Sequence, residues 1–258
     1  MSKPRQKTTA PNGVAAENVS AAAGAEATTT ESQTITAATT ETKVSTKQEL
    51  RQGISLYDPN FITNADADRL VAGLRKLPWQ QHIITMYGKR ISAPRMYQWM
   101  GIPPQPRAYS HGGFKTEGGI YPGETFKPID WTPEAMEVRQ KIYDRIGFLF
   151  DSLNINFYRS GKDHVGFHVD KDDEGRWEFP IASVSLGAVR DFQVQPYILG
   201  GKSGRKRIPA GEIETVTLGH GSLVVMPAGS QACYQHRLKQ QPKVEGERIN
   251  LTFRMMGL

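Results

Sequence analysis

Cysteine is almost missing from this chain: Cys233 is the single thiol in 258 residues. One cysteine excludes an intramolecular disulfide framework and any multi-cysteine zinc cluster, and it fits a reducing compartment. A metal site here has to be built from nitrogen and oxygen donors. Long hydrophobic runs are missing as well. No stretch approaches the roughly 20 apolar residues of a membrane-spanning helix, and no charged-then-apolar leader pattern opens the sequence. The expectation is a soluble intracellular protein with no membrane partner, cytoplasmic in a bacterium and nuclear in a eukaryote. No internal repeat is seen. Aromatic residues are missing from the first 47 positions, which are dominated by Ala, Thr, Ser and Glu, with runs such as Ala21-Ala22-Ala23 and Thr28-Thr29-Thr30. Such a composition cannot offset chain entropy by burial, so residues 1–50 read as a disordered low-complexity tail.

What remains, residues 51–258, is enough for one substantial core, and a monomer is expected. Charge is concentrated there. In the tail Lys3, Arg5, Lys7, Lys43 and Lys47 nearly cancel against Glu17, Glu26, Glu31 and Glu41, so most of the net charge of +6 belongs to the folded part. That excess favours a polyanionic partner such as nucleic acid. The tail is a tether, and its acidic residues argue against a transit peptide, although Lys3-Pro4-Arg5-Gln6-Lys7 has the look of a weak nuclear signal.

Ile54-Ser55-Leu56-Tyr57 reads as a strand ended by Asp58-Pro59-Asn60. A helix capped by Asn64 follows, with Asp66 and Asp68 at its positive end and Leu70, Val71, Leu74 and Leu77 at helical spacing until Pro78. A second helix is predicted over about 133–149, with Met136, Ile142, Ile146 and Leu149 as core positions. Between the helices, Trp79 to Trp131 is rich in Gly, Pro and aromatics and reads as hairpins and loops. After Asp151 the chain turns to short alternating strands between Gly, Pro and Asp clusters, the pattern of a sandwich or jelly roll. The fold class expected is therefore mostly β with flanking helices.

His168-Val169-Asp170 and the distant His236 carry the chemistry. Residues two apart on a strand share a face, so His168 and Asp170 can grip one ion. Two imidazoles and a carboxylate on one side of a metal leave positions open for oxygen and a cosubstrate. The tripeptide alone is weak evidence. Its support comes from the last strand, Arg248-Ile249-Asn250-Leu251-Thr252-Phe253-Arg254-Met255, where polar and apolar residues alternate strictly. If the polar face points inward, Arg248 and Arg254, aligned with Asn250 and Thr252, need an anion, and a dicarboxylate would serve. Asn156 and Tyr158 lie on one face of Ile155-Asn156-Phe157-Tyr158 and either orient that cosubstrate or are satisfied polar residues of a barrel.

The run Asn156 to Asp170, then Pro180 to Ala188, Arg190-Asp191-Phe192, His220-Gly221-Ser222-Leu223, Gln231, His236 and Arg248 to Arg254 resembles the AlkB family of nucleic-acid dealkylating dioxygenases. The likeness spans most of Ser55 to Met255 and is nearest the DNA-repair branch, which has a Pro-Arg element like Pro94-Arg95. The resemblance implies a double-stranded β-helix, or jelly roll, over about 151–258, with a nucleotide-recognition lid over about 79–131. It implies Fe(II) on His168, Asp170 and His236, with 2-oxoglutarate on Asn156, Tyr158, Arg248, Thr252 and Arg254, beside which Asn250 shares the strand face. The implied reaction uses O2, yields succinate, hydroxylates the alkyl carbon and releases formaldehyde from bases such as 1-methyladenine and 3-methylcytosine. Base extrusion is required, and DNA is preferred over RNA as the partner.

Tyr109 and His111, in Tyr109-Ser110-His111-Gly112-Gly113, fall where the family stacks on the base, with His111 and Gly112 departing from the pattern. Arg205, Lys206 and Arg207 are candidates for phosphate contact, set against the plain reading of a solvated charge run. Cys233 is expected to be a small buried apolar residue, and His164 and His220 to be structural or on the surface. Trp177 touches nucleic acid or simply packs. Lys171 stands where the family has a second acidic residue, and the expectation is that Lys171 bulges outward so that Asp172 meets the base. Two other functions stay open: the same iron chemistry on a protein or small molecule, and a non-catalytic nucleic-acid-binding jelly roll.

Overall fold

The computed structural model describes residues 52–86, 89–101, 109–111, 114–116, 119–121, 124–126, 128–170, 178–204 and 206–256, with backbone alone over 84–86, 89–90 and the short strands between 109 and 126. In chain order the elements are β1 (Leu56–Asp58), α1 (Asn64–Leu74), β2 (Gln80–Met86), β3 (Lys89–Gly101), β4 (Tyr109–His111), β5 (Phe114–Thr116), β6 (Gly119–Tyr121), β7 (Glu124–Phe126) and α2 (Pro133–Ile146). Then come β8 (Ser152–Tyr158), β9 (Val165–His168), β10 (Ile181–Gly187), β11 (Arg190–Gly200), β12 (Lys206–Pro209), β13 (Glu214–Leu218), β14 (Ser222–Met226), α3 (Ser230–Cys233), β15 (Tyr234–Leu238) and β16 (Arg248–Arg254).

Seven strands form a major sheet in the order β1-β14-β10-β16-β8-β3-β2, and a minor sheet runs β12-β11-β15-β9 with β13 also on β11. Every named pair is antiparallel and the order is far from sequential, which is the jelly roll expected from the alternation. That alternation also sets which face is wet. Leu251 of β16 lies opposite Ile155 of β8 and Val184 of β10, and Ile249 opposite Phe157 and Leu186. These side chains pack with Leu70, Leu74, Ala135, Val138 and Ile142, so the two helices cover the apolar face. Each fully buried aliphatic side chain there contributes about 1.5–3 kcal/mol. A second cluster joins Ile181, Val224 and Met226 of the major sheet to Phe192, Val194, Val216 and Leu218 of the minor one. It fills part of the space between the sheets; the rest is lined by polar side chains.

The helices are shorter than the periodicity predicted. Thr63, not Asn64, caps α1, its Oγ1 accepting from the Asp66 N–H at 3.2 Å while the Thr63 hydroxyl donates to Asp66 Oδ2. Leu77 lies beyond the helix end, in a tightened turn where its N–H donates to Leu74 O. In α2, Thr132 caps, Pro133 takes the first turn, and Gly147 stops the helix in the left-handed conformation at φ 70°. Met136 and Leu149, expected in the core, are 44% and 46% exposed; Ala135, Val138 and Ile142 are the buried positions. The stop at Gly147 breaks the 3.6-residue register that had carried the prediction to Leu149.

Within 79–131, β2 and β3 extend the major sheet beyond β8, while β4 pairs with β7 and β5 with β6. No helix among the described residues is long and apolar enough to cross a membrane.

Candidate metal and cosubstrate centre

β9 and β15 are neighbours in the minor sheet, with His168 directly opposite His236. Cross-strand partners share a face, so register alone puts the two imidazoles side by side, ring centroids 4.3 Å apart. Asp170 arrives differently from the strand-alternation argument: β9 ends at His168 and Asp170 lies two residues past it, in irregular chain. Its carboxylate still reaches both rings, Oδ1 3.7 Å from His168 Nε2 and Oδ2 3.9 Å from His236 Nε2. One donor atom from each residue lies within 4.8 Å of the others, a spacing that one metal ion can bridge. His168 Nδ1 donates to Gly166 O at 2.9 Å, which leaves Nε2 as the lone-pair nitrogen on the Asp170 side.

Electrostatics prepares these donors. Burial and the adjacent His168 push the His236 imidazole down to about 3, and burial lowers His168 below its ordinary value. Burial alone would raise Asp170, but Arg254 and the two imidazoles outweigh it and hold the carboxyl at about 2. At neutral pH the cluster is two neutral nitrogen bases and one anion, which is the protonation state a divalent metal needs.

A polar face runs from this cluster across the major sheet. Arg248, Asn250, Thr252 and Arg254 of β16 lie opposite Tyr158, Asn156, Asn154 and Ser152 of β8. Arg254 is at the triad end, its Nη2 donating to Asp170 Oδ1 at 2.5 Å. Arg248 lies at the other end of the strand, 2% exposed, donating to Ser185 Oγ at 2.8 Å with its guanidinium over the Tyr158 ring. Among the described residues no carboxylate pairs with Arg248, and the Nε atoms of both arginines are buried without a hydrogen-bond partner. Burial pushes Arg248 down to about 10, so it remains a cation at neutral pH. A buried guanidinium without an anion is costly, and a dicarboxylate is the group that fits.

Other expected contacts are partly occupied within the protein. Asn250 directs its amide donors to Ser183 Oγ and Val184 O, and its oxygen accepts from Thr252 Oγ1. Asn156 Oδ1 accepts from Arg95 Nε at 2.9 Å, which brings the Pro94-Arg95 element onto the same face. Ser183 and Ser185 complete that face and were passed over in the sequence, though they alternate with apolar residues in β10.

Arg207 is half-buried, its Nη2 reaching Phe167 O at 3.5 Å and its guanidinium lying over Tyr197, while Lys206 is exposed on the same strand. Cys233 is exposed, contrary to the expected burial, because α3 turns it outward while Gln231 faces in. His164 Nδ1 donates to Lys162 O, and His220 Nδ1 accepts from the Gly187 N–H, both structural uses. For Tyr109 and His111 only the pairing of β4 with β7 is described. Lys171, Asp172, Trp177, Arg205, Gly112 and Gly113 lie outside the described residues.

Comparison with known proteins agrees with this geometry. The chain is 30% identical to mouse DNA oxidative demethylase ALKBH2 over 203 residues, 79% of this chain and 80% of that one. It is 34% identical to human ALKBH2, covering 62% of this chain and 59% of the human protein. Against rat alpha-ketoglutarate-dependent dioxygenase alkB homolog 3 the identity is 32%, over 78% of this chain and 63% of the relative. Among solved structures, OsALKBH1 superposes with a TM-score of 0.51 at 20% identity, covering 81% of this chain and all of that one, a likeness of fold. The family model described as the 2OG-Fe(II) oxygenase superfamily matches residues 55–254, so the chain belongs to that superfamily, dioxygenases that work with Fe(II), 2-oxoglutarate and O2.

Proposed function

We propose that this protein repairs alkylated bases in DNA by oxidative dealkylation, acting on lesions such as 1-methyladenine and 3-methylcytosine and releasing formaldehyde and succinate. The observation that carries the reading is the cluster of half-buried His168 with buried Asp170 and His236, joined through Arg254 to a polar face that ends in the buried Arg248. Demethylases of DNA among the relatives of similar length give the substrate class. A net charge of +6 favours the polyanion.

His168, Asp170 and His236 would hold Fe(II), and Arg248, Arg254, Asn156, Tyr158 and Thr252, with Asn250 bracing Thr252, would hold 2-oxoglutarate. Metal and cosubstrate, when bound with O2, supply the oxidant that hydroxylates the alkyl carbon. The chain's own residues do the rest. Arg254 keeps Asp170 anionic, and Gly166 O orients His168 so that Nε2 is the available donor. Arg248, a buried cation deep in the fold, would neutralise a carboxylate of the cosubstrate. Burial of Asp170, His236 and Arg248 strengthens each of these charge interactions.

Strands β4 to β7 with β2 and β3 are assigned to the lid over an extruded base, Tyr109 and His111 to contact with that base, and Lys206, with Arg205, to the phosphate backbone, whereas Arg207 turns inward to Phe167 O and Tyr197. Asp172 is assigned to the base's exocyclic amino group. The protein would act as a monomer on DNA ahead of RNA, with residues 1–50 as a tether outside the dioxygenase domain. The test is formaldehyde release from a panel of methylated DNA and RNA oligonucleotides, with a methylated peptide as the competing substrate. Turnover of the peptide alone would overturn the assignment.

A further inference from the structure

We propose that Gln231 is a positioning residue for the metal site, fixing the backbone of Asp170 and tying that carboxylate to the strand that carries His236. The inference rests on the assignment of His168, Asp170 and His236 to iron. β9 ends at His168, so the Asp170 N–H has left the strand ladder, although Asp170 is only 6% exposed. A buried N–H with no acceptor costs about 1–3 kcal/mol. Gln231 Oε1 accepts it at 3.0 Å, reaching across from a segment 61 residues away.

Gln231 is itself held from several sides. It is 2% exposed; its Nε2 donates to Ser230 Oγ at 3.2 Å and lies 3.5 Å from Met226 Sδ. Its backbone carbonyl accepts from the Tyr197 hydroxyl at 2.8 Å, and burial raises the Tyr197 phenol above its ordinary value, keeping it protonated as a donor. The side chain is therefore a fixed acceptor. Gln231 sits on α3, and β15 starts at Tyr234, directly after α3 ends at Cys233, so the same short segment that aims Gln231 at Asp170 delivers His236 to the opposite side of the site. Two donors from distant parts of the chain are thus referenced to one another through a single hydrogen bond. Partners of this kind, one step removed from the metal, are worth roughly 10- to 100-fold in metal affinity.

The test uses the full chain without oxygen and Mn(II) as the probe, read by the resonance signal of free Mn(II), alongside binding of an unmethylated oligonucleotide to the metal-free protein. Gln231→Met keeps the length and removes the acceptor; Gln231→Glu keeps an acceptor oxygen. Gln231→Met is expected to bind Mn(II) about 10- to 100-fold more weakly with oligonucleotide affinity unchanged, and Gln231→Glu to recover most of the loss. Mn(II) affinity within about twofold of the parent in Gln231→Met, or a loss in Gln231→Glu as large as in Gln231→Met, overturns the proposal. Should Gln231→Met not fold, Gln231→Asn, which draws the amide back by one methylene, carries the same expectation. A parent protein that binds no Mn(II), or that binds it equally well as Asp170→Ala, overturns the metal assignment itself.

Discussion

At the scale of single residues, the three metal donors and the two arginines of β16 make separable contributions. His168→Ala, Asp170→Ala and His236→Ala are each expected to abolish turnover while the fold survives, since each removes one of three donors from a site that is not part of either apolar core. Retained wild-type rate with retained metal affinity in any one of them would reject the triad. Arg248→Ala or Arg254→Ala should raise the 2-oxoglutarate requirement by about 10- to 100-fold and leave the oligonucleotide requirement nearly unchanged, because a buried charge-assisted contact is worth about 1.5–3 kcal/mol. Steady-state titration of each substrate at saturating levels of the other separates the two. The same residues give the metal-free protein a pH dependence with a definite sign. His236 is held at about 3 in the fold against an ordinary 6.5, and His168 is lowered too, so between those values the unfolded chain binds more protons than the folded one. Stability therefore falls as pH drops from about 6.5 towards about 3. Asp170, held at about 2 against 3.8, adds a loss in the same direction at the acid end. Thermal midpoints across this range should slope less steeply in His236→Gln; an equal slope in both proteins would count against the buried neutral imidazole.

At the scale of elements, the segment that feeds β9 is pinned from two directions. Arg190, fully buried at the start of β11, donates to the carbonyls of Ser160, Asp163 and Lys239 and to Gln241 Oε1, dispersing its charge over backbone oxygens. Gly161 lies inside this clamp, donating to Val244 O and accepting from the Gln241 N–H, and a Cβ there would sit on Gln241 O. Gly161→Ala must therefore push two backbone segments apart, at a cost of about 1–3 kcal/mol. Chemical denaturation should read the loss, and a midpoint equal to the parent would show that the clamp yields freely. The β11–β12 hairpin raises a different question, because Arg207 turns toward Phe167 O while Lys206 is exposed. Lys206→Ala should lower the salt slope of oligonucleotide binding by about 0.7–0.9, the signature of one lost phosphate contact, with no change in uncoupled 2-oxoglutarate consumption. An unchanged slope returns Lys206 to a solvated surface.

At the scale of the whole molecule, the sequence was legible wherever a short period governs structure. The alternation of Arg248 to Arg254 announced one apolar face and one polar face, and the fold places Ile249, Leu251 and Phe253 in the helix-covered core and Arg248 on the opposite side. Helix ends were less legible: capping by Thr63 and termination at Gly147 are decided by a single hydrogen bond or a single backbone conformation, which a hydrophobic repeat does not encode. His168, Asp170 and His236 could be named as donor types from local pattern and resemblance, yet nothing local says that His236 stands opposite His168. That pairing depends on which strands the chain makes neighbours. Gln231 is harder still, since its acceptor meets Asp170 only after α3 has been packed beneath Tyr197. Residue chemistry and alternation by themselves determined which face each side chain of the last strand occupies and the kind of ligand the site can take, but not the place of Asp170, which lies beyond the end of β9. Only the tertiary structure decided the distances between donors, the pairing of Arg254 with Asp170, and the inward turn of Arg207. Those depend on strand register between segments tens of residues apart, and register is set by the packing of the whole core.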